Sequence, residues 1–216
     1  MQKSTFREYF ESIVIAAILA LFIRTFVFQA FKIPTGSMEP NLLVGDHIVV
    51  NKFLYGAGGE SSWVLPVRPI ERGDIVVFRA PEEPDEDFIK RVVAVGGDKI
   101  EIIDGVVIVN DEIVDEPYAH YSRGYGSRRD YGPFLVPEGH YFCMGDNRDN
   151  SRDSRYWGTV PAHMIKGRAV MVYWSYDVPG YIPYGASARD QLVEFARSLP
   201  SYVTETRWAR TFTMIR

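Results

Sequence analysis

A single cysteine, Cys143, occurs among the 216 residues. One thiol cannot close an internal disulfide, so no disulfide framework holds this chain, and zinc sites built from several cysteines are excluded. Its setting, Tyr141-Phe142-Cys143-Met144, reads as a buried strand, so the thiol is expected to be a core side chain. Histidine is equally sparse. His47, His120, His140 and His163 are scattered, and no His-Glu-x-x-His occurs, so no metal centre is expected. There is no Gly-x-Ser-x-Gly elbow and no Ser-x-x-Lys, and glycine is nowhere followed by lysine, which removes the phosphate loop. Basic charge is not in excess: the net charge is −4 and the pI about 5.6. Nucleic acid is therefore not an expected partner.

A long unbroken apolar run is also missing. Ile13 to Ile23 is apolar throughout, Arg24 interrupts, and Thr25 to Phe31 resumes the pattern. Crossing the hydrocarbon takes about 20 residues, reached here only if Arg24 snorkels toward an interface. Ala17-Ile18-Leu19-Ala20 offers no small-x-small cleavage site, so an uncleaved transmembrane signal-anchor over residues 1–30 is expected rather than a removed leader. Lys3 and Arg7 precede the run and Arg24 and Lys32 follow it, which leaves its orientation open.

Beyond Phe31 the period changes. Short apolar runs at 46–51, 74–78, 88–95, 99–103, 105–109, 141–144 and 169–174 are bounded by glycine and turn residues. No helical pattern alternates with them, and Asp104-Gly105 is a hairpin signal. The expectation is a mainly β, antiparallel or barrel-like domain over 31–216. Residues 56–69 and 118–133 read as loop or hairpin excursions, and 188–198 as a short amphipathic helix.

Among these segments, Pro34-Thr35-Gly36-Ser37-Met38-Glu39-Pro40 stands out. Two prolines fix φ and a glycine eases a turn, which can present one hydroxyl beside exposed N–H groups. Taken alone it is an ordinary connection between an apolar segment and a domain. Phe88-Ile89-Lys90-Arg91-Val92-Val93 supplies a second element. Period-two alternation puts Lys90 on a face with Phe88, Val92 and Ala94, where burial would lower its pKa. An ordinary lysine is neutral about once in two thousand at pH 7, and a fall of about three units would cost about 4 kcal/mol. Such a neutral amine could take a serine's proton. Equally, Lys90 could snorkel or pair with one of Glu82, Glu83, Asp85, Glu86 and Asp87. The third element, Gly145 to Gly158, alternates Asp and Arg in a way that could lock a loop by charge-assisted hydrogen bonds.

These elements, in this order behind an apolar anchor, resemble the bacterial type I signal peptidases, membrane-anchored Ser/Lys endopeptidases that remove signal peptides. Pro34 to Leu42 is similar to their nucleophile box, Gly45 to Lys52 to the following strand, Arg72 to Phe78 and Ile89 to Val92 to their general-base region, and Gly145 to Gly158 to their last box. The resemblance fades in 56–69, in 118–133 and after Trp174.

The resemblance implies Ser37 as nucleophile and Lys90 as general base, with Thr35 and the Ser37 N–H as oxyanion donors. Ser151 would orient the lysine amine. Asp153 and Arg155, with Asp146 and Arg91 as a further ion pair, would support the site. Phe31, Ile33, Pro34, Met38, Phe88 and Ile89 would line small apolar pockets suited to Ala-x-Ala substrates. It further implies signal peptides of exported preproteins and the lipid bilayer as partners, no cofactor, and a single-pass protein of the bacterial cytoplasmic membrane with its catalytic domain outside. A self-cleaving repressor-type Ser/Lys protease and a non-catalytic peptide-binding β domain are the alternatives.

Overall fold

The computed structural model describes residues 5–52, 68–83, 85–121, 129–176 and 204–215. The helix expected at 188–198, and most of 56–69, lie outside these.

Helix α1, Thr5–Phe22, is followed by a π-helical turn at Ile23–Val27. The strands are β1 Phe28–Lys32, β2 Asp46–Asn51, β3 Ile75–Arg79, β4 Asp87–Val95, β5 Lys99–Ile103, β6 Val106–Val109, β7 Glu112–Ile113, β8 Tyr131–Leu135, β9 His140–Met144, β10 Val160–Pro161, β11 Ile165–Ser175 and β12 Thr213–Met214. One short helix, α2 Ser154–Trp157, sits between β9 and β10.

The mainly antiparallel β fold read from the apolar runs is the one observed. Strands β1-β2-β11-β3-β4-β9-β10 form one sheet, with β12 added on β11, and β7-β6-β5-β8 form a second. Every named pair is antiparallel. Asp104 and Gly105 both take positive φ between β5 and β6, which is the hairpin their sequence signals. The second sheet meets the first through Ile100, Ile102, Val107 and Val109 packed on Val93, Ala94, Phe142 and Met144. Tyr131, near the end of the expected excursion, begins β8 and pairs with Ile102 of β5.

The described N-terminal helix is short for the expected anchor. Eighteen residues of α-helix rise about 27 Å at 1.5 Å each, against a hydrocarbon core of about 30 Å. Arg7, Glu8 and Glu11 occupy its first turns. Among the described residues no helix is both long and apolar enough to cross a membrane. The chain leaves the α-helix at Phe22, and pairing with β2 begins at Phe28, where the sequence pattern has the anchor continuing to residue 30.

Alternation in β4 also breaks. Val92 faces Cys143, but the register shifts before Ala94 meets Phe142. This bulge turns both Val93 and Ala94 into the inter-sheet core, while Val92 packs with Val76, Phe78 and Cys143. Ala94 therefore does not share the Lys90 face.

Candidate active site

Ser37 lies in a single 3-10 turn, Gly36–Met38, within the irregular stretch between β1 and β2. Met38 and Leu42 anchor that stretch, their side chains sunk among Ile33, Ile48, Val50, Ile75, Val77 and Ile89. Gly36 is not in the left-handed region. The space left by its missing Cβ is taken by the Glu39 carboxylate, 2.8 Å from where that atom would lie.

Lys90 sits mid-strand in β4, opposite Val76 of β3. It is 4% exposed and Ser37 is 7% exposed. The Lys90 Nζ donates to Ser37 Oγ at 2.8 Å and to its neighbour's carbonyl, Ile89 O, at 2.9 Å. The Phe88 ring lies 5.4 Å from the amine. Burial pushes the Lys90 pKa down to about 8, against the pull of Asp153, Cys143 and Asp146. Of these Cys143 stays a neutral thiol, its own pKa raised by complete burial. Among the described residues, none of the acidic residues at 82–87 weighed as alternative partners pairs with Lys90. Glu82 and Glu83 bind Arg152, and Asp87 binds Lys166.

The Gly145 to Gly158 stretch wraps this pair. Asp153 caps α2 and accepts from Arg155 Nε at 2.8 Å, Arg155 Nη2 at 2.9 Å and Gly145 N at 3.0 Å. The Arg155 guanidinium reaches across to Arg148 O at 2.6 Å, which closes the loop on itself. A Cβ on Gly145 would collide with Ser151 Oγ and sit 2.5 Å from Ser37 O, so only glycine lets these two strands of the site approach. The Ser151 hydroxyl is buried against that glycine and makes no hydrogen bond among the described residues. Asp146 takes Arg91 in a two-pronged pair, Nε to Oδ1 and Nη2 to Oδ2, both at 2.8 Å. All four residues of these pairs are nearly fully buried, which favours a fixed geometry over a mobile one.

Several contacts were not read from the sequence. Asn147 donates its N–H to Ser37 O at 3.1 Å and its side-chain amide to Gly36 O at 3.1 Å, clamping the turn from below. Asn41 reaches Asp146 Oδ2 at 2.8 Å. The Tyr118 ring stacks 4.0 Å from the Arg91 guanidinium. Arg148 is buried on Glu116. Asn41 and Asn147 lie inside recognisable boxes, so their neighbourhood was marked, but no local pattern tells an amide that clamps from one that is solvated. Tyr118 and Glu116 carry no such mark.

The expected pocket residues divide. Ile33 and Met38, 1% and 0% exposed, belong to the core and back the site. Ile89 is also buried in that core, Phe31 and Phe88 are partly covered, and Pro34 and Thr35 are exposed.

Residues 6–174 match the family model described as signal peptidase, peptidase S26. The chain belongs to the signal peptidase S26 family. It is 32% identical to Signal peptidase I of Aquifex aeolicus, over 84% of this chain and 89% of that protein. It is 38% identical to the Probable signal peptidase I-2 of Synechocystis, over 80% and 75%. It is 37% identical to Signal peptidase I of Pseudomonas aeruginosa, over 80% and 74%. S26 membership makes it a serine endopeptidase, a hydrolase of peptide bonds, and its reaction class the removal of signal peptides from preproteins. The non-catalytic and repressor-type alternatives fall away. The family match stops at residue 174, so the described C-terminal segment 204–215 lies beyond it.

Proposed function

We propose that this S26 peptidase cleaves signal peptides at the membrane surface with Ser37 as nucleophile and Lys90 as general base. The observation that carries the reading is the 2.8 Å contact between Ser37 Oγ and a buried amine whose pKa is brought near 8. At that value the neutral amine is a substantial fraction near neutral pH, so it can accept the hydroxyl proton. Ser37 Oγ then bonds to the scissile carbonyl carbon. The Thr35 hydroxyl, exposed and not used in capping the turn, and the Ser37 N–H receive the developing oxyanion. As the C–N bond breaks, the leaving amine takes its proton from the Lys90 ammonium. Water, deprotonated by the same amine, releases the acyl group and restores Ser37. Asp153–Arg155 and Asp146–Arg91 hold the loop that carries Ser151, whose buried hydroxyl, expected to orient the amine, makes no hydrogen bond to Lys90 among the described residues.

Strand β1 is the edge of its sheet and runs directly into the Ser37 turn. An extended peptide added along that edge would arrive at the hydroxyl. Phe31 and Phe88 offer it apolar contact, with Ile33, Met38 and Ile89 packed behind. Membrane association rests on α1. From Ile13 to Phe22 its side chains are apolar, and Ile13, Ile15, Ile18, Leu19, Leu21 and Phe22 are all exposed. Such a surface has the character of a helix that meets lipid. Preprotein cleavage by the full chain in vesicles, compared with Ser37→Ala and Lys90→Ala, tests the reading. Both variants are expected to be folded and inactive, and processing by either contradicts it.

A further inference from the structure

The stretch from Ile33 to Asp46 carries Ser37 but contains only one helical turn, so its rigidity must come from elsewhere. Its two ends are tied by Ile33 N to Asp46 O at 2.8 Å and Gly45 N to Ile33 O at 3.0 Å. At this root the Asp46 side chain is 0% exposed. Its carboxylate accepts from Leu43 N at 2.9 Å and from Ser175 Oγ at 2.6 Å. The cation that balances it comes from 164 residues away: Arg210 donates Nη2 to Oδ2 at 2.6 Å and Nε to Oδ1 at 3.3 Å. The same Nη2 donates to Asn41 O at 2.8 Å. One guanidinium thus ties Asn41, four residues beyond Ser37, to the root of the loop at Asp46. The Asn41 side chain continues the chain of contacts to Asp146 and so to Arg91, the neighbour of Lys90.

Arg210 is itself fixed. Arg207 N bonds Ser175 O at 2.8 Å, Arg207 Nη1 bonds Val44 O at 3.0 Å, Ile215 N bonds Val170 O at 3.0 Å, and β12 pairs with β11. Residues 204–215 lie beyond the stretch 6–174 that matches the family model.

We infer that Arg210 is a positioning residue for the hydrolysis, and that segment 204–215 is a clasp holding the Ser37 hydroxyl against the Lys90 amine. The inference rests on the Ser37–Lys90 assignment. Without Arg210, the buried Asp46 carboxylate keeps two neutral donors and loses its charged partner, and the Asn41 end of the Ser37 turn loses its tie to the root. Lysine is a partial substitute. Its point charge can balance Asp46 but cannot span Asp46 and Asn41 O as a planar fork does.

The test measures preprotein cleavage across pH by the full chain in vesicles for wild type, Arg210→Gln, Arg210→Lys and Ser37→Ala, with near-ultraviolet circular dichroism to report folding. A folded Arg210→Gln is expected to lose roughly 10- to 100-fold in kcat with KM within about twofold, as a displaced nucleophile would. The acidic limb of its pH profile is expected to move upward, because a loosened loop admits water to Lys90. Arg210→Lys is expected to fall between the two. Wild-type kcat and an unmoved limb in folded Arg210→Gln would overturn the clasp. So would a partial loss of activity in Arg210→Gln that its remaining folded fraction accounts for in full. If Arg210→Gln does not fold, Arg210→Lys is read in its place: a lowered kcat with a raised limb supports the clasp, and wild-type values of both overturn it. Active Ser37→Ala would sink the dyad and the clasp together. Inactive Ser37→Ala beside fully active Arg210→Gln would sink the clasp alone.

Discussion

Ser37 and Lys90 are 53 residues apart in sequence, yet Lys90 Nζ and Ser37 Oγ lie 2.8 Å apart in a nearly dry site. Each is set by a different device. A turn pinned to the core by Met38 and Leu42 presents the hydroxyl, and a central strand presents the amine. The pair's chemistry follows from burial, since desolvation is the largest influence on Lys90.

The pH dependence of cleavage follows directly. Lys90 must be neutral to act, and its pKa is about 8. Cleavage efficiency, kcat/KM, should rise about tenfold per pH unit below that value and level off above it. Initial rates from pH 5 to 10 check this. A limb near 10.5, or one that rises on acidification, disagrees with a lysine base.

Burying that lysine should weaken the fold. Its folded pKa, about 8, lies below its ordinary 10.5, so the unfolded chain binds the proton more tightly. The penalty is full below about pH 8 and fades as pH rises to about 10.5. A gap of about 2.5 units corresponds to about 3 kcal/mol at most. Lys90→Met should therefore unfold several degrees higher than wild type at pH 7, with the gain shrinking at pH 10. Thermal melts at both pH values read this out, and a Met variant less stable at pH 7 would count against it.

Much of this was legible in the chain, and the limits have physical causes. The Pro34–Pro40 turn, the cationic strand and the Asp/Arg loop are local patterns, and the structure brings all three together. The core thiol of Cys143 and the Asp104-Gly105 hairpin are also as read. The bulge at Val93 was not legible, because it depends on which residues of β9 lie opposite. Nor was the π-helical turn at Ile23–Val27, where Arg24 interrupts the apolar run but no glycine or proline marks a change of helix. Arg210 looks like any solvated arginine until the fold sets it on Asp46.

Gly145 is expected to tolerate no side chain. An added methyl would strike Ser151 and the Ser37 carbonyl, which are backbone and short side chain with little room to yield. Gly145→Ala should lower cleavage at least about 100-fold by displacing the nucleophile. Folding by circular dichroism and cleavage rate, measured together, decide it, and a normal rate would refute the close approach.

The Arg91–Asp146 pair should matter to stability more than an exposed pair of the same kind. Asp146→Ala leaves the Arg91 guanidinium buried without its anion, at a cost of about 3–5 kcal/mol. Lys99–Asp111 is exposed and screened by water, and Asp111→Ala should change stability far less. Urea unfolding of both variants gives the comparison, and equal effects would contradict it.

Everything proposed for Ser37 depends on a lysine with a lowered pKa beside it, and titration of Lys90 itself tests that most directly. Carbon-13 labelling of the lysine ε-positions, with the Lys90 signal assigned by its loss in Lys90→Met, follows the amine by nuclear magnetic resonance. A midpoint near 8 is expected. A midpoint at the ordinary lysine value near 10.5 would contradict a lysine base for Ser37.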